Sequence, residues 1–105
     1  MPNEYVETSS FLPQMEHLRE DMILSAMVFT KALGIHYMTY VQWRNREVKH
    51  ARPTTVEHIL QRAAVIESIR DQLGWRKNNP LVSRMHPRRR DEVFLECFKE
   101  RFGVN

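Results

Sequence analysis

The sequence predicts an all-α protein with one small hydrophobic core. Only 3 glycines and 5 prolines occur among its 105 residues, and runs of alternating β-branched residues are hard to find, which argues against strands. Apolar residues instead recur at intervals of three and four along most of the chain, as they do in amphipathic helices. The hydrophobic content, 42%, is ordinary for a folded protein. We therefore predict five helices.

The first predicted helix runs from about Pro13 to Ile23 and follows an N-terminal arm, residues 1–12. Proline is tolerated in the first turn of a helix, because the N–H that it lacks has no partner there. The spacing of the apolar residues in this segment predicts a single face turned toward the core. The residues on that face are Met15, Leu18 and Met22.

Residues 24–46, LSAMVFTKALGIHYMTYVQWRNR, predict two short helices joined by a tight turn. Ser25 can begin the first helix by accepting a hydrogen bond from a backbone N–H. Gly34 can end it in a left-handed conformation, so that the chain turns sharply into a second helix. The inward face of the first helix consists of Val28, Phe29, Ala32 and Leu33. That of the second consists of Ile35, Tyr40 and Trp43.

The outward face of the second helix has no acidic residue and fits the major groove of DNA. Gln42 is the strongest candidate for reading a base, because its amide can form two hydrogen bonds to adenine. The predicted base-reading residues are Tyr37, Met38, Val41 and Gln42. The predicted phosphate-binding residues are Ser25, His36, Thr39, Arg44, Arg46, Lys49 and Arg52.

Charge is sorted along the chain in a way that agrees with this prediction. Residues 22–56 contain five basic residues and one acidic residue, a net charge of +4, whereas residues 1–21 carry a net charge of −4. A basic segment that includes the outward helix is suited to meeting phosphates. The alternative also stands, because two helices joined by a glycine occur in many all-helical proteins that bind no nucleic acid.

Residues 24–46 resemble the helix-turn-helix of the phage-repressor and Cro-like (XRE-type) family of transcriptional regulators. Pro53 and the stretch after it are similar to the next helix of that family, and the likeness covers about residues 18–66. Arg46 departs from the pattern, because the family commonly has glycine at that position. Thr30 and Tyr40 depart from the pattern as well. The matching residues are Leu24, Ser25, Phe29, Leu33, Gly34, Ile35, Thr39 and Trp43.

The resemblance implies a lambda-repressor-like helix-turn-helix domain of four helices, residues 13–74, followed by a basic connector and a C-terminal helix. It also implies a sequence-specific regulator of transcription, a repressor, that binds an inverted repeat in double-stranded DNA as a homodimer. Small regulators of this kind often accompany phage, plasmid or toxin-antitoxin operons.

The fourth predicted helix begins at Thr54 and ends at Gly74. Thr54 and Glu57 have the spacing of a capping box, in which each side chain bonds to the backbone N–H of the other residue. Gly74 can end the helix as Gly34 does. The predicted inward residues are Ile59, Leu60, Ala63, Ile66, Ile69 and Leu73.

Residues 75–90 predict an extended basic connector. They include six basic residues, two prolines and no acidic residue. Three interpretations stay open: a clamp on DNA phosphates, contacts with a partner protein, or a solvated linker. In the third interpretation, the arginines of the linker pair with acidic residues of the last helix or with Glu4 and Glu7.

The last predicted helix runs from about Arg88 to Phe102, within the C-terminal segment 91–105, and Gly103 can close it. Its apolar face consists of Phe94, Leu95, Cys97, Phe98 and Phe102. This face either folds back on the same domain or packs against a second copy. We expect a homodimer, because two reading helices placed one DNA turn apart discriminate far better than one. The predicted dimer contacts are Leu73, Trp75, Phe94, Phe98 and Phe102.

The sequence predicts no enzyme, no metal and no cofactor. It contains no glycine-rich phosphate loop, nucleophile elbow or pair of carboxylates. Its single cysteine, Cys97, excludes an internal disulfide and a cysteine-based zinc site, and the 5 histidines lack the spacing of a metal-binding pair. No apolar run approaches the roughly 20 residues that span a bilayer, and no signal peptide is evident. We expect a cytoplasmic location, in a bacterium or a phage-infected host cell.

The sequence also leaves a second function class open. The chain could be a protein-interaction module, such as an antitoxin or a phage-encoded adaptor or inhibitor, that keeps the helix-turn-helix as a scaffold. The apolar C-terminal helix and the acidic N-terminus would then carry the function. RNA binding is less favoured, because the interleaved aromatic residues typical of RNA-binding modules are absent.

Overall fold

The computed structural model describes residues 4–103, and this part of the chain is mostly helical, as predicted. It contains six α-helices rather than five, a 3-10 turn at Thr8–Ser10 and two short strands. The first three helices are α1 (Leu12–Asp21), α2 (Ala26–Leu33) and α3 (Tyr37–Arg44). The others are α4 (Pro53–Leu73), α5 (Pro80–Ser83) and α6 (Pro87–Phe102). The strands are β1 (Val6–Glu7) and β2 (His50–Ala51).

The two strands attach the N-terminal segment to the loop that precedes α4. They pair antiparallel, with Val6 opposite Ala51 and Glu7 opposite His50. Thr8 extends the attachment, since its backbone N–H and its hydroxyl both donate to the carbonyl of Lys49, over 2.9 and 3.3 Å. Residues 6–8 of the predicted arm are therefore held against the domain, while residues 1–3 lie outside the described part. The prediction of no strands was wrong because strands of two residues leave no alternating pattern.

Four helices end in the same backbone motif. After each of them one residue adopts a left-handed conformation, and the N–H of the next residue donates to the carbonyl five positions earlier, over 2.9 to 3.1 Å. This is the Schellman arrangement, which satisfies carbonyls that the helix end leaves free. The left-handed residues are Ile23 (φ 54°), Gly34 (φ 76°), Arg46 (φ 62°) and Gly74 (φ 67°). Two of these four positions therefore carry a side chain where glycine is favoured.

The core contains most of the apolar residues that the helical spacing places inward. All the predicted inward residues of α1 and α2 are buried. In α4, however, Leu60 and Leu73 are 46% and 48% exposed, because the buried face is narrower than predicted. The predicted capping box is also wrong: Pro53 is the first helical residue, and no side chain accepts a hydrogen bond at the N-cap.

The basic stretch after Gly74 is attached to the domain at two buried residues and contains α5, so it is not an extended connector. Trp75 is buried, and its indole N–H donates to the carbonyl of Met22 over 3.1 Å. Val82 in α5 is buried as well. Arg76 pairs with Asp21 at 2.8 Å and with Asp71 at 3.1 Å, so its partners lie in α1 and α4 rather than in the segments that we expected.

Helix α6 folds back on the same chain. Phe94 and Phe98 are buried, and the Phe94 ring meets Trp75 edge to face, with centroids 5.8 Å apart. The prediction that these three residues form a dimer contact is therefore wrong, because they complete the core between α2, α4 and α6. Phe102 is 40% exposed and Leu73 is exposed too. Residues 104 and 105 of the predicted C-terminal segment lie outside the described residues.

Candidate nucleic-acid interface

Helix α2 begins as the sequence predicts. Ser25 lies at its N-cap in an extended conformation, and its hydroxyl oxygen accepts a hydrogen bond from the N–H of Val28 over 3.2 Å. Thr30, which departs from the family pattern, is buried within the helix. Its hydroxyl bonds to the carbonyls of Ala26 and Met27, which satisfies its polar group.

The turn between α2 and α3 is supported by an arginine from α4. Gly34 has a φ of 76°, and a Cβ atom added there would lie 3.0 Å from the Arg62 guanidinium. Arg62 donates to the carbonyl of Ala32 over 3.2 Å, and its guanidinium lies 4.2 Å from the centre of the Phe102 ring. The turn therefore requires glycine both for its backbone conformation and for the close approach of Arg62.

Two aromatic rings anchor α3. Tyr40 is fully buried and Trp43 nearly so, as predicted, while Ile35 is half-buried. The Trp43 ring packs edge to face on Phe11, with centroids 5.4 Å apart, and Tyr40 packs in the same manner on Phe29 at 5.9 Å. Helix α2 is the main neighbour of α3, so the face opposite these rings is turned away from the body of the protein.

A polar cluster that the sequence did not predict lies between α1 and α3. The Tyr40 hydroxyl donates to the carboxylate of Glu16 in α1. Arg19 donates to the same carboxylate from Nε at 3.1 Å and from Nη2 at 2.9 Å, and Arg44 Nε lies 3.9 Å from it. The available signal was Tyr40 itself, because a tyrosine at an inward position needs a partner for its hydroxyl.

This cluster determines the protonation states of Glu16 and Tyr40. Burial raises the pKa of Glu16, but the hydrogen bonds from Arg19 and Tyr40 outweigh it and hold the pKa below its ordinary value. For Tyr40, burial and the hydrogen bond that it donates to Glu16 raise the pKa far above its ordinary value. A charged carboxylate and a neutral phenol therefore persist near pH 7, and the bond between α1 and α3 is charge-assisted.

The outward face of α3 contains the predicted base-reading residues. Tyr37 and Met38 are 37% and 50% exposed, while Val41 and Gln42 are half-buried at the edge of the face. The Gln42 side chain has no hydrogen-bond partner among residues 4–103, so its amide is available to a ligand. The helix itself, Tyr37–Arg44, contains no acidic residue.

The predicted phosphate-binding residues divide into two groups. Ser25 and His36 cap helices: the Nδ1 atom of His36 accepts from the N–H of Met38 over 3.1 Å at the start of α3, and Thr39 is half-buried in the first turn. The second group is exposed and runs from the end of α3 to the start of α4. It consists of Arg44, Arg46, Lys49 and Arg52.

No group of metal-binding side chains occurs in the part of the chain that the structure describes. Cys97 is half-buried on α6, and burial raises the pKa of its thiol. None of the helices between residues 4 and 103 has the length and apolar character to cross a membrane. Comparison with known proteins gave no match, either to a family model or among curated proteins and solved structures.

Proposed function

We propose that this protein is a sequence-specific regulator of transcription, a repressor, that places α3 in the major groove of double-stranded DNA. One observation carries the proposal: Tyr40 and Trp43 hold α3 by one face, and the opposite face presents Tyr37 and Met38 without any acidic side chain. A helix that is anchored on one side and exposed on the other can enter a groove about 12 Å wide.

Gln42 is the residue that we propose for direct reading of a base. Its unpaired amide can donate from Nε2 to N7 of adenine while its Oε1 accepts from the N6 amino group, a pair of hydrogen bonds worth roughly 1 to 3 kcal/mol of discrimination. Tyr37, Met38 and Val41 lie on the same outward face and supply apolar contacts, for example with thymine methyl groups.

The cations around α3 are proposed to hold the DNA backbone. Arg44, Arg46, Lys49 and Arg52 are exposed on one continuous segment and would meet phosphates beside the groove. At the start of α2 the free backbone N–H groups and the Ser25 hydroxyl favour one more phosphate, and His36 and Thr39 are placed similarly at the start of α3. These contacts fix the position of the helix without carrying sequence information.

The resemblance to the phage-repressor family supports the finer proposal of a lambda-repressor-like domain. The capped start of α2 at Ser25 and the glycine turn at Gly34 are the features of that pattern that bear on it. A homodimer belongs to the same proposal, because one α3 covers only a few base pairs. Since Trp75, Phe94 and Phe98 are buried, its contact surface is reduced to Leu73 and Phe102.

The experiment is selection of binding sites from random DNA duplexes, followed by titration of the selected duplex and a scrambled one at several salt concentrations. We expect an enriched inverted repeat and at least a thousandfold preference over the scrambled duplex. Gln42→Ala should reduce the ratio of the two affinities. Lys77→Ala, which removes an exposed cation on the loop after α4, should leave this ratio unchanged. Equal affinity for both duplexes would refute the proposal.

A protein-interaction module is the second candidate, favoured by a groove of about 560 Å³ between α2, α4 and α6. Phe98 and Phe102 line its apolar part, and Lys31, Arg62 and Lys99 are the charged residues around it. Selection from a displayed library of random peptides distinguishes the two functions. Enrichment of acidic, apolar peptides that bind the wild type but not Phe102→Ala, together with no enriched duplex, would favour this candidate.

A further inference from the structure

A recess of about 660 Å³ lies between the N-terminal segment and the chain that leaves α3. One wall comes from residues between 7 and 16, and the other from residues between 43 and 50. The pairing of β1 with β2 holds the two walls together. A volume of this size lies within the usual range of small-ligand sites.

The charges in this recess are not balanced by the protein. Arg44, Arg46 and Lys49 line it together with two acidic residues, Glu7 and Glu16. Glu16 is already neutralised by Arg19, which forms two hydrogen bonds to its carboxylate. The remaining three cations and one carboxylate leave a surplus of about two positive charges, close to the charge of a phosphate monoester near pH 7.

Two of the three cations are free to bind a ligand. The side chains of Arg46 and Lys49 make neither a hydrogen bond nor an ion pair with any residue between 4 and 103. Arg44 has only a long contact, 3.9 Å, with Glu16. An arginine that is free in this way can form two parallel hydrogen bonds to a phosphate.

The backbone of Arg46 is a separate indication. Its φ of 62° is the left-handed conformation that ends α3, a position at which glycine costs less. The same motif uses glycine after α2 and α4 and isoleucine, Ile23, after α1. Of these two non-glycine residues only Arg46 lines the recess, so its helix end places a guanidinium where a ligand could bind.

We infer that this recess is a phosphate-binding site in which Arg46 and Lys49 are the principal ligand-binding side chains and Arg44 is the third. The phosphate comes either from the DNA backbone beside α3 or from a small phosphomonoester. In the second case the small molecule competes with DNA for the same cations and regulates its binding. The inference rests on the proposed function for this regulatory role, but phosphate binding itself does not depend on it.

The first experiment therefore uses no DNA. Isotope-labelled protein is titrated with inorganic phosphate and with adenosine monophosphate at constant ionic strength, and amide chemical shifts are followed. We expect shifts confined to the recess, including Ser9 and His50. Arg46→Gly, which suits the backbone at that position, should weaken phosphate binding about tenfold, and Glu7→Gln should strengthen it. Lys77→Ala removes an exposed cation outside the recess and should have no effect.

The second experiment identifies the source of the phosphate. If adenosine monophosphate binds more tightly than inorganic phosphate and displaces the selected duplex, the site takes a small phosphomonoester. If it binds no more tightly and Arg46→Gly lowers the salt slope of DNA binding by about 1, the site takes a backbone phosphate. Shifts spread over the whole surface, or equal effects of Arg46→Gly and Lys77→Ala, would overturn the inference. Failure to select any duplex would count against the proposed function alone.

Discussion

The hydroxyl of Tyr40 donates a hydrogen bond to the carboxylate of Glu16, and this bond fixes the outward helix to the first helix of the core. Tyr40→Phe removes the donor and keeps the ring. We expect the free energy of unfolding to fall by about 1.5 to 3 kcal/mol, the usual contribution of a hydrogen bond to a charged group. Urea denaturation measures it, and an unchanged midpoint would contradict the role that we give this bond.

Stability should depend on pH through Glu16. Its pKa is lower in the folded protein than in the unfolded chain, so its contribution is present above the ordinary pKa, about 4.3, and is lost as the pH falls through the folded value. The wild type should therefore lose stability between about pH 5 and pH 3. Glu16→Gln should be less stable at pH 7 but lose less over that interval. Urea denaturation at each pH gives the free energy of unfolding of both proteins. If its dependence on pH is the same for the wild type and Glu16→Gln, Glu16 is ruled out as a source of that dependence.

Substitutions at three of the left-handed helix ends should change stability by different amounts. Gly34→Ala should cost more than about 1 kcal/mol, because it strains a backbone with φ 76° and brings a Cβ within 3.0 Å of Arg62. Gly74→Ala should cost less, since the nearest atom, Asn79 Nδ2, is 3.3 Å away rather than 3.0 Å. Arg46→Gly should change stability by no more than about 1 kcal/mol, because relief of strain offsets the entropy of glycine. Thermal denaturation of the three variants gives this order, and an Arg46→Gly variant less stable than Gly74→Ala would contradict it.

The two kinds of DNA contact should be separable in binding assays. Gln42→Ala should relax the preference at one base position, whereas Lys49→Ala should weaken all duplexes alike and reduce the salt slope by about 1. Fluorescence anisotropy with single-base variants of the selected duplex measures both effects. A Lys49→Ala variant that changes base preference would show that the division of roles is wrong.

Two phenylalanines on the same face of α6 should differ in their contribution to stability, because one is buried and the other is partly exposed. Phe98→Ala should lower the free energy of unfolding by about 3 to 5 kcal/mol, as is usual for a buried phenylalanine. Phe102→Ala, at a side chain that is 40% exposed, should have a much smaller effect on the monomer. If Phe102 takes part in a dimer, its substitution should instead lower the molar mass seen in sedimentation. Equal destabilisation by both variants would argue against the packing of α6 described above.

The sequence was sufficient for features that depend on neighbouring residues. Ser25 and Gly34 bound α2 because a hydroxyl at a helix start and a glycine at a helix end act within one turn of chain. Periodicity identified the buried residues of α1 and α2 for the same reason. It was less accurate for α4, whose neighbours α2 and α6 leave Leu60 and Leu73 exposed.

Features that depend on distant residues were not predicted. The first helix does end close to the predicted position, Ile23, but the left-handed conformations of Ile23 and Arg46 were not predicted, because neither residue is glycine. The cluster of Glu16 and Tyr40 joins residues 24 positions apart. Between residues 75 and 90 the many cations indicated a solvated connector, while Trp75 and Val82, only two residues in that stretch, are buried in the core.

The two tryptophans provide built-in optical reporters. Trp43 is in contact with Phe11 beside the outward helix, whereas Trp75 is bonded to the carbonyl of Met22 and packed on Phe94 of the last helix. Replacing either tryptophan by phenylalanine leaves a single tryptophan, which reports on one part of the core. Matching fluorescence transitions from the two single-tryptophan proteins would mean that both parts melt together, and separated transitions would mean that the C-terminal helix can detach while the rest stays folded.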